Sequence, residues 1–368
     1  MIDGQFTLGV EEEYQIVDPV TGELRSYISR LLEDGKSVLR ERVRAELHQS
    51  VVEVGTTVCK DVDMVKRELH EMRAELDNIA RRGGLRIVAA STHPFSDWKV
   101  QDITDQARYR NIVNDMQDVA RANLIFGLHV HVGITDKETA IALTNQIRYF
   151  LPHLLALTTS SPFWMGRRTG LMSTRTQIFK RFPRTGIPDE FESAQHFKHF
   201  VDLLVKTGCI DDAKKIWWDV RPHHIYDTVE VRICDMPTNM EDTVAIVALI
   251  QALMGKLYLM YRRNTAWRSY SRSLLEENKW RALRFGTDAK LIDFGRKEER
   301  PFPELMDELI DFASEATAIF GTEAHMPRIR QMARSGTSAH RQIEVFEKTN
   351  DMKKVVDWMM EETMRGIG

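Results

Sequence analysis

Gly9-Val10-Glu11-Glu12-Glu13-Tyr14 sets three adjacent carboxylates inside a segment, 6–17, that otherwise reads as a β-strand. Like charges at this density repel, and in a strand they compete with the apolar burial that holds a sheet together. A divalent cation is the most economical compensation. Side chains alternate across a strand. Glu11 and Glu13 therefore share one face with Thr7, Gly9 and Gln15, while Leu8, Val10, Tyr14 and Ile16 share the other with Glu12. The apolar face is expected to cover a core, leaving Glu11 and Glu13 on an open polar face. Glu12, turned to the apolar side, then needs its own partner, an Arg or Lys, or a place at the sheet margin. Taken alone, the segment also reads as an exposed charge run on an edge strand.

Two further segments repeat the two-faced pattern. In 126–134, Phe126, Leu128, Val130, Val132 and Ile134 line one face, and Gly127, His129, His131 and Gly133 the other. In 228–234, Val229, Val231 and Ile233 oppose Glu230, Arg232 and Cys234. A parallel sheet covered by helices on both sides would show continuous apolar runs. One polar face instead predicts an α+β fold, a largely antiparallel sheet with an open catalytic face and helices packed behind it. A fourth strand is expected over 47–54 and carries Glu53. Glu46 stands seven residues earlier, an odd separation, so it must sit on the preceding loop, or a bulge must re-aim one of the pair.

Between the strands, Val62, Val65, Leu69, Met72, Leu76 and Ile79 recur at helical spacing until Gly83-Gly84. A short helix is expected near 29–40, a strand over 85–90 and a helix around 109–119. Thr135-Asp136-Lys137-Glu138 matches a capping box and opens a helix through about Leu157. The Gly-, Pro- and Arg-rich stretch 160–188 reads as a long functional loop, and the chain from about 241 as mostly helical.

A length of 368 residues suggests two or three domains. No repeat or low-complexity linker divides the chain, however. It is read as a single catalytic domain over 1–368, with a sheet-forming core over about 6–262 and a mostly helical part over about 263–368. A net charge of −3 offers no electrostatic footprint for nucleic acid. Three scattered cysteines argue against a disulfide framework or a cysteine zinc site, and for a reducing compartment. No signal peptide is legible. The longest apolar stretch, 244–261, is interrupted by Gln251 and Lys256 and reads as a core helix and not a membrane span. A cytoplasmic protein is expected, with a homo-oligomer left open.

The polar face gathers candidate ligands. A His-x-His pair, His129 and His131, can hold zinc, but the surplus of carboxylates better suits magnesium or manganese. Arginines follow: Arg175 after Ser173-Thr174, Arg232 beside Glu230, and Arg281 and Arg284 within 278–286. Carboxylate-held metals together with guanidinium groups are what phosphoryl transfer needs. No Walker-type loop is present.

Taken in order, several stretches resemble the glutamate–cysteine ligase type 2 family of YbdK-like carboxylate–amine ligases. They are Gly9 to Tyr14, Glu46 to Glu53, Phe126-Gly127-Leu128-His129-Val130-His131-Val132 and Ser160-Ser161-Pro162-Phe163-Trp164. Trp218-Asp219-Val220-Arg221-Pro222, Thr228-Val229-Glu230-Val231-Arg232 and Asn278 to Gly286 complete the set. The resemblance implies a glutamine-synthetase-like catalytic fold with a funnel-shaped site. It also implies ATP as co-substrate, with Mg2+ (or Mn2+) held by Glu11, Glu13, Glu46, Glu53, His129 and Glu230. Arg175 and Arg232 become the catalytic phosphate or carboxylate contacts, and His131, Arg281 and Arg284 nucleotide- or substrate-binding residues. The reaction implied joins the γ-carboxylate of L-glutamate to an amine, L-cysteine by default, through an acyl phosphate. A guanidino-kinase-like phosphotransferase and a zinc hydrolase built on His129 and His131 are the alternatives.

Overall fold

The computed structural model describes residues 6–35 and 42–367. Its strands in chain order are β1 (Leu8–Val17), β2 (Val43–Ala45), β3 (Val51–Gly55), β4 (Arg86–Val88), β5 (Leu128–Gly133), β6 (Phe163–Trp164), β7 (Arg167–Arg168), β8 (Thr185–Gly186), β9 (Trp217–Trp218), β10 (Val220–Pro222), β11 (Thr228–Val231), β12 (Lys290–Asp293) and β13 (Glu298–Pro301). The main sheet runs β10-β11-β5-β1-β3-β2, with β4 on the far half of β1. Every pairing in it is antiparallel, as the two-faced pattern predicts.

One face of this sheet is the core. Leu8, Val10, Val52, Val54, Leu128, Val130, Val132, Val229 and Val231 are all buried there. Behind them lie the helices Val62–Arg82, Lys137–Ile147 and Met240–Arg262. Helix Val62–Arg82 starts where the Asp61 side chain accepts from the Met64 amide and is followed by Gly84 in the left-handed region at φ +74°. Helix Met240–Arg262 is long and apolar enough to span a membrane, but 78% of that apolar window is buried inside the protein. It packs against Val62–Arg82, Lys137–Ile147 and Phe302–Phe320, and so is a core helix.

Several elements differ from expectation for local reasons. The strand expected over 47–54 begins only at Val51, because residues 47–50 turn between β2 and β3. Glu46 therefore follows β2 and Glu53 lies in the neighbouring strand, which removes the parity problem. The helix expected through Leu157 breaks after Ile147 into a 3₁₀ turn, Arg148–Phe150, before Leu151–Thr158. Pro152 has no amide hydrogen, and its ring would meet the carbonyl of Arg148. The N-cap of the first helix is Asp136, whose carboxylate accepts from the Thr139 amide at 2.7 Å. Helix Ile28–Gly35 covers the first part of the stretch expected near 29–40; 36–41 lie outside the described residues. The stretch 160–188 contains a short helix, Thr174–Phe179, and the ribbon β6–β7.

Glu12 has the partner its orientation demands. Fully buried Arg73, from helix Val62–Arg82, reaches its carboxylate at 2.5 and 3.1 Å. The same guanidinium donates to the carbonyls of Thr238 at 3.0 Å and Thr363 at 3.2 Å. The Tyr14 hydroxyl donates to Glu12 as well.

Buried His93 is locked as a neutral ring. Its Nδ1 accepts from the amides of Ser96 at 2.9 Å and Phe95 at 3.2 Å, so the hydrogen sits on Nε2, 2.8 Å from the Gly22 carbonyl. Burial pushes its pKa from 6.5 to about 4. The unfolded chain takes up the proton first on acidification. The contribution is therefore full above pH 6.5 and is lost as pH falls toward 4. Urea unfolding across this range should show stability dropping on the order of 3 kcal/mol from this group, and a His93→Gln variant should show a shallower slope. An equal slope would contradict the locked tautomer.

Candidate active site

The open face of the sheet is ordered by register. Glu11 stands opposite His129, Glu13 opposite Glu53, His131 opposite Glu230, and Glu230 opposite Arg221. A cleft of about 670 Å³ lies over this row. It brings together Glu11, Glu13, Glu46, Glu53, His129, His131, Arg175, Glu230 and Arg232. Arg175 enters from helix Thr174–Phe179 and donates to the carbonyls of Ile233 and Arg232, both at 3.2 Å. Gly127 makes room for it, since a Cβ there would lie 2.5 Å from the Arg175 guanidinium.

The cleft is electrically divided. At the β10–β11 end, Arg221 donates to Glu230 at 2.8 Å and Arg232 also donates to it. Burial opposes the Glu230 charge, but Arg232 and Arg221 outweigh it and hold the carboxyl well below its usual range. At the β2–β3 end the carboxylates lack such cations. Burial, with Glu46 adding, pushes Glu13 up to about 8. Burial together with Glu46, Glu11 and Glu13 raises Glu53 well above normal, and burial raises Glu46. Among the described residues, the one guanidinium within 4 Å of Glu53 is that of exposed Arg44, at 3.9 Å.

Glu11 stands between the two ends. Burial works against its charge, yet the hydrogen bond from His129 and the His131 ring 3.7 Å away prevail and lower its pKa. His129 Nδ1 is 3.1 Å from Glu11, and burial pushes that ring to about 4, so it donates as a neutral group. Burial also opposes protonation of His131, but Glu11 and Glu230 outweigh it and raise that ring. Ligand atoms of Glu11, His131 and Glu230 all lie within 4.8 Å of one another. Two buried guanidinium nitrogens in the cleft, Arg175 Nε and Arg232 Nε, have no hydrogen-bond partner among the described residues. Carboxylates short of cations thus share a cavity with donors short of acceptors.

Arg281 and Arg284 do not line this cleft. Both belong to helix Arg272–Phe285, where Arg281 pairs with Glu277 at 3.0 Å and Glu299 at 2.6 Å. The Arg284 guanidinium lies 4.7 Å over the Phe285 ring. A sequence window shows that two arginines share a helix, but not which way that helix faces.

The profile of glutamate–cysteine ligase family 2 matches residues 7–358. The chain belongs to this family. An inferred glutamate–cysteine ligase 2 of Sorangium cellulosum is 63% identical across 100% of this chain and 98% of its own length. One from Solibacter usitatus is 52% identical over 98% and 94%. Among solved structures, a glutamate–cysteine ligase from Francisella tularensis in complex with AMP superposes with a TM-score of 0.73 at 13% identity, covering 98% of this chain and 89% of that one. A bifunctional glutathione synthetase from Pasteurella multocida gives 0.72 at 14%, covering 99% and 53%. At such identities the likeness establishes the fold, the α+β arrangement expected from strand patterning. Membership in glutamate–cysteine ligase family 2 makes the protein one of the ATP-dependent ligases that form C–N bonds.

For this family 2 ligase, Arg221, His48, Tyr109, His223 and Tyr226 also line the cleft, and the sequence alone assigns none of them a role. Arg221 had a usable signal: it precedes Glu230 by nine residues across a short hairpin, which is a cross-strand distance. His223 and Tyr226, stacked 4.7 Å apart in the β10–β11 loop, had none.

Proposed function

We propose that the protein couples the γ-carboxylate of L-glutamate to an amine, with L-cysteine the default acceptor, using ATP and an acyl-phosphate intermediate. One observation carries this reading: cation-poor carboxylates at Glu13, Glu46 and Glu53 face acceptor-poor donors at Arg175 and Arg232 across a single cleft. A polyphosphate with its divalent cations satisfies both halves at once. The donor set fits magnesium, being mostly carboxylate oxygen with imidazole in support. Glu11, Glu13, Glu46, Glu53, Glu230 and His129 would hold it, and the grouping with Glu11 and Glu230 adds His131. Bound there, magnesium supplies charge neutralisation to phosphate oxygens during phosphoryl transfer.

The chain's own groups would do the rest. Arg175 and Arg232 donate to phosphate oxygens or to the glutamate carboxylate, and their anchoring on backbone carbonyls and Glu230 fixes the direction of those donors. The γ-carboxylate attacks the terminal phosphorus and ADP leaves; the amine then attacks the acyl carbon and phosphate leaves. No side-chain nucleophile is needed, so catalysis rests on positioning and electrostatics. The names of the relatives support glutamate and cysteine as substrates. Family membership leaves the phosphotransferase and zinc-hydrolase readings without support.

An acyl phosphate has an isotopic signature. With glutamate labelled by ¹⁸O in its γ-carboxylate, the phosphate released during turnover should carry one labelled oxygen, read by mass spectrometry. Unlabelled phosphate during amide formation would rule the intermediate out.

A further inference from the structure

A second cavity, of about 400 Å³, shares no lining residue with the cleft. It lies where the turn Arg148–Phe150 and helices Leu151–Thr158 and Phe302–Phe320 meet the segment 266–270. Its walls are aromatic: Trp267 is 5.3 Å from Tyr149 and 4.9 Å from both Phe150 and Phe312.

Its polar groups are incompletely used. Trp267 Nε1 is buried and donates to no described residue. Arg268, at the mouth, lies 5.6 Å over the Tyr270 ring and forms no ion pair among the described residues. On the other side of the charge balance, Asp293 Oδ2 is 3.6 Å from Arg296 Nε, beyond an ordinary hydrogen bond, and that arginine is also engaged by Glu308 at 2.9 Å. His153, only 3% exposed, adds no charge, since burial pushes it to about 4. Free donors, a carboxylate with spare lone pairs and an aromatic wall make a site for a zwitterion that carries a ring.

We propose that this cavity binds a free α-amino acid with an aromatic side chain. Its carboxylate meets Arg268 and Trp267 Nε1, its ammonium meets Asp293, and its ring packs among Tyr149, Trp267 and Phe312. The site is independent of the ligase reading, because none of its groups serves the cleft.

Equilibrium dialysis of the full chain against radiolabelled L-phenylalanine tests it. Saturable binding to one site is expected. Arg268→Glu should weaken it at least about tenfold, with Arg268→Lys intermediate. Glu11→Gln, in the cleft, should leave it unchanged. As competitors, 3-phenylpropionate and phenethylamine each lack one of the two charges and should be at least about tenfold weaker than L-phenylalanine. The proposal is overturned by no saturable binding up to about 10 mM, by undiminished binding to Arg268→Glu, by loss of binding in Glu11→Gln, or by an equally tight analogue lacking either charge.

Discussion

Replacing Glu13 by Gln is expected to lower turnover by about three orders of magnitude or more, and Glu11→Gln to do the same. Both changes keep the shape of the side chain and remove one negative charge. Glu13 accepts from the Gly127 amide at 2.6 Å, a bond the amide oxygen of Gln can still receive. The variant should therefore fold. Its thermal midpoint in metal-free buffer should match or exceed that of the unaltered protein, because Gln is neutral without taking up the proton that burial and Glu46 force on the Glu13 carboxyl. Added magnesium should stabilise the unaltered protein more than the variant. Activity falling while stability holds marks a carboxylate kept for function. Turnover above about a tenth of the original would contradict the role assigned to it.

The second large effect concerns stability. Arg73→Met leaves the Glu12 carboxylate buried without its cation and removes donors from the carbonyls of Thr238 and Thr363. Breaking a buried ion pair from one side costs about 3–5 kcal/mol, against a total of about 5–15 kcal/mol for a typical domain. Chemical denaturation should show a loss of that size. Combining the change with Glu12→Leu should recover part of it, since no charge is then stranded, though the two carbonyls stay unsatisfied. A loss under about 1 kcal/mol in the single variant would contradict a structural role for the pair.

These two predictions divide along the line between what the sequence discloses and what it hides. Strand parity separates Glu11 and Glu13 from Glu12 and requires a cation for Glu12, because alternation is a local property of the backbone. It does not identify Arg73, which arrives from a helix 61 residues away. The polar faces of β5 and β11 are legible for the same reason as that of β1. That His131 joins Glu11 and Glu230 depends on the β1–β5 and β5–β11 registers, and register between distant strands leaves no trace in one sequence. Glu46 and Glu53 illustrate a turn misread as strand: the odd spacing was visible, but not that β2 and β3 lie side by side. Arg281 and Arg284 fail in the opposite direction. Their helix is evident, while the partners that hold Arg281, Glu277 and Glu299, come partly from β13.

The most direct test of the central claim is release of ADP by the purified chain, with products weighed by mass spectrometry. Magnesium, ATP, L-glutamate and a panel of amines including L-cysteine would be supplied together and then omitted one at a time. The account predicts ADP only in the complete mixture, matched by a product whose mass is glutamate plus the amine less one water. ADP formation indifferent to glutamate and to every amine, or an amide formed without ATP, would contradict it.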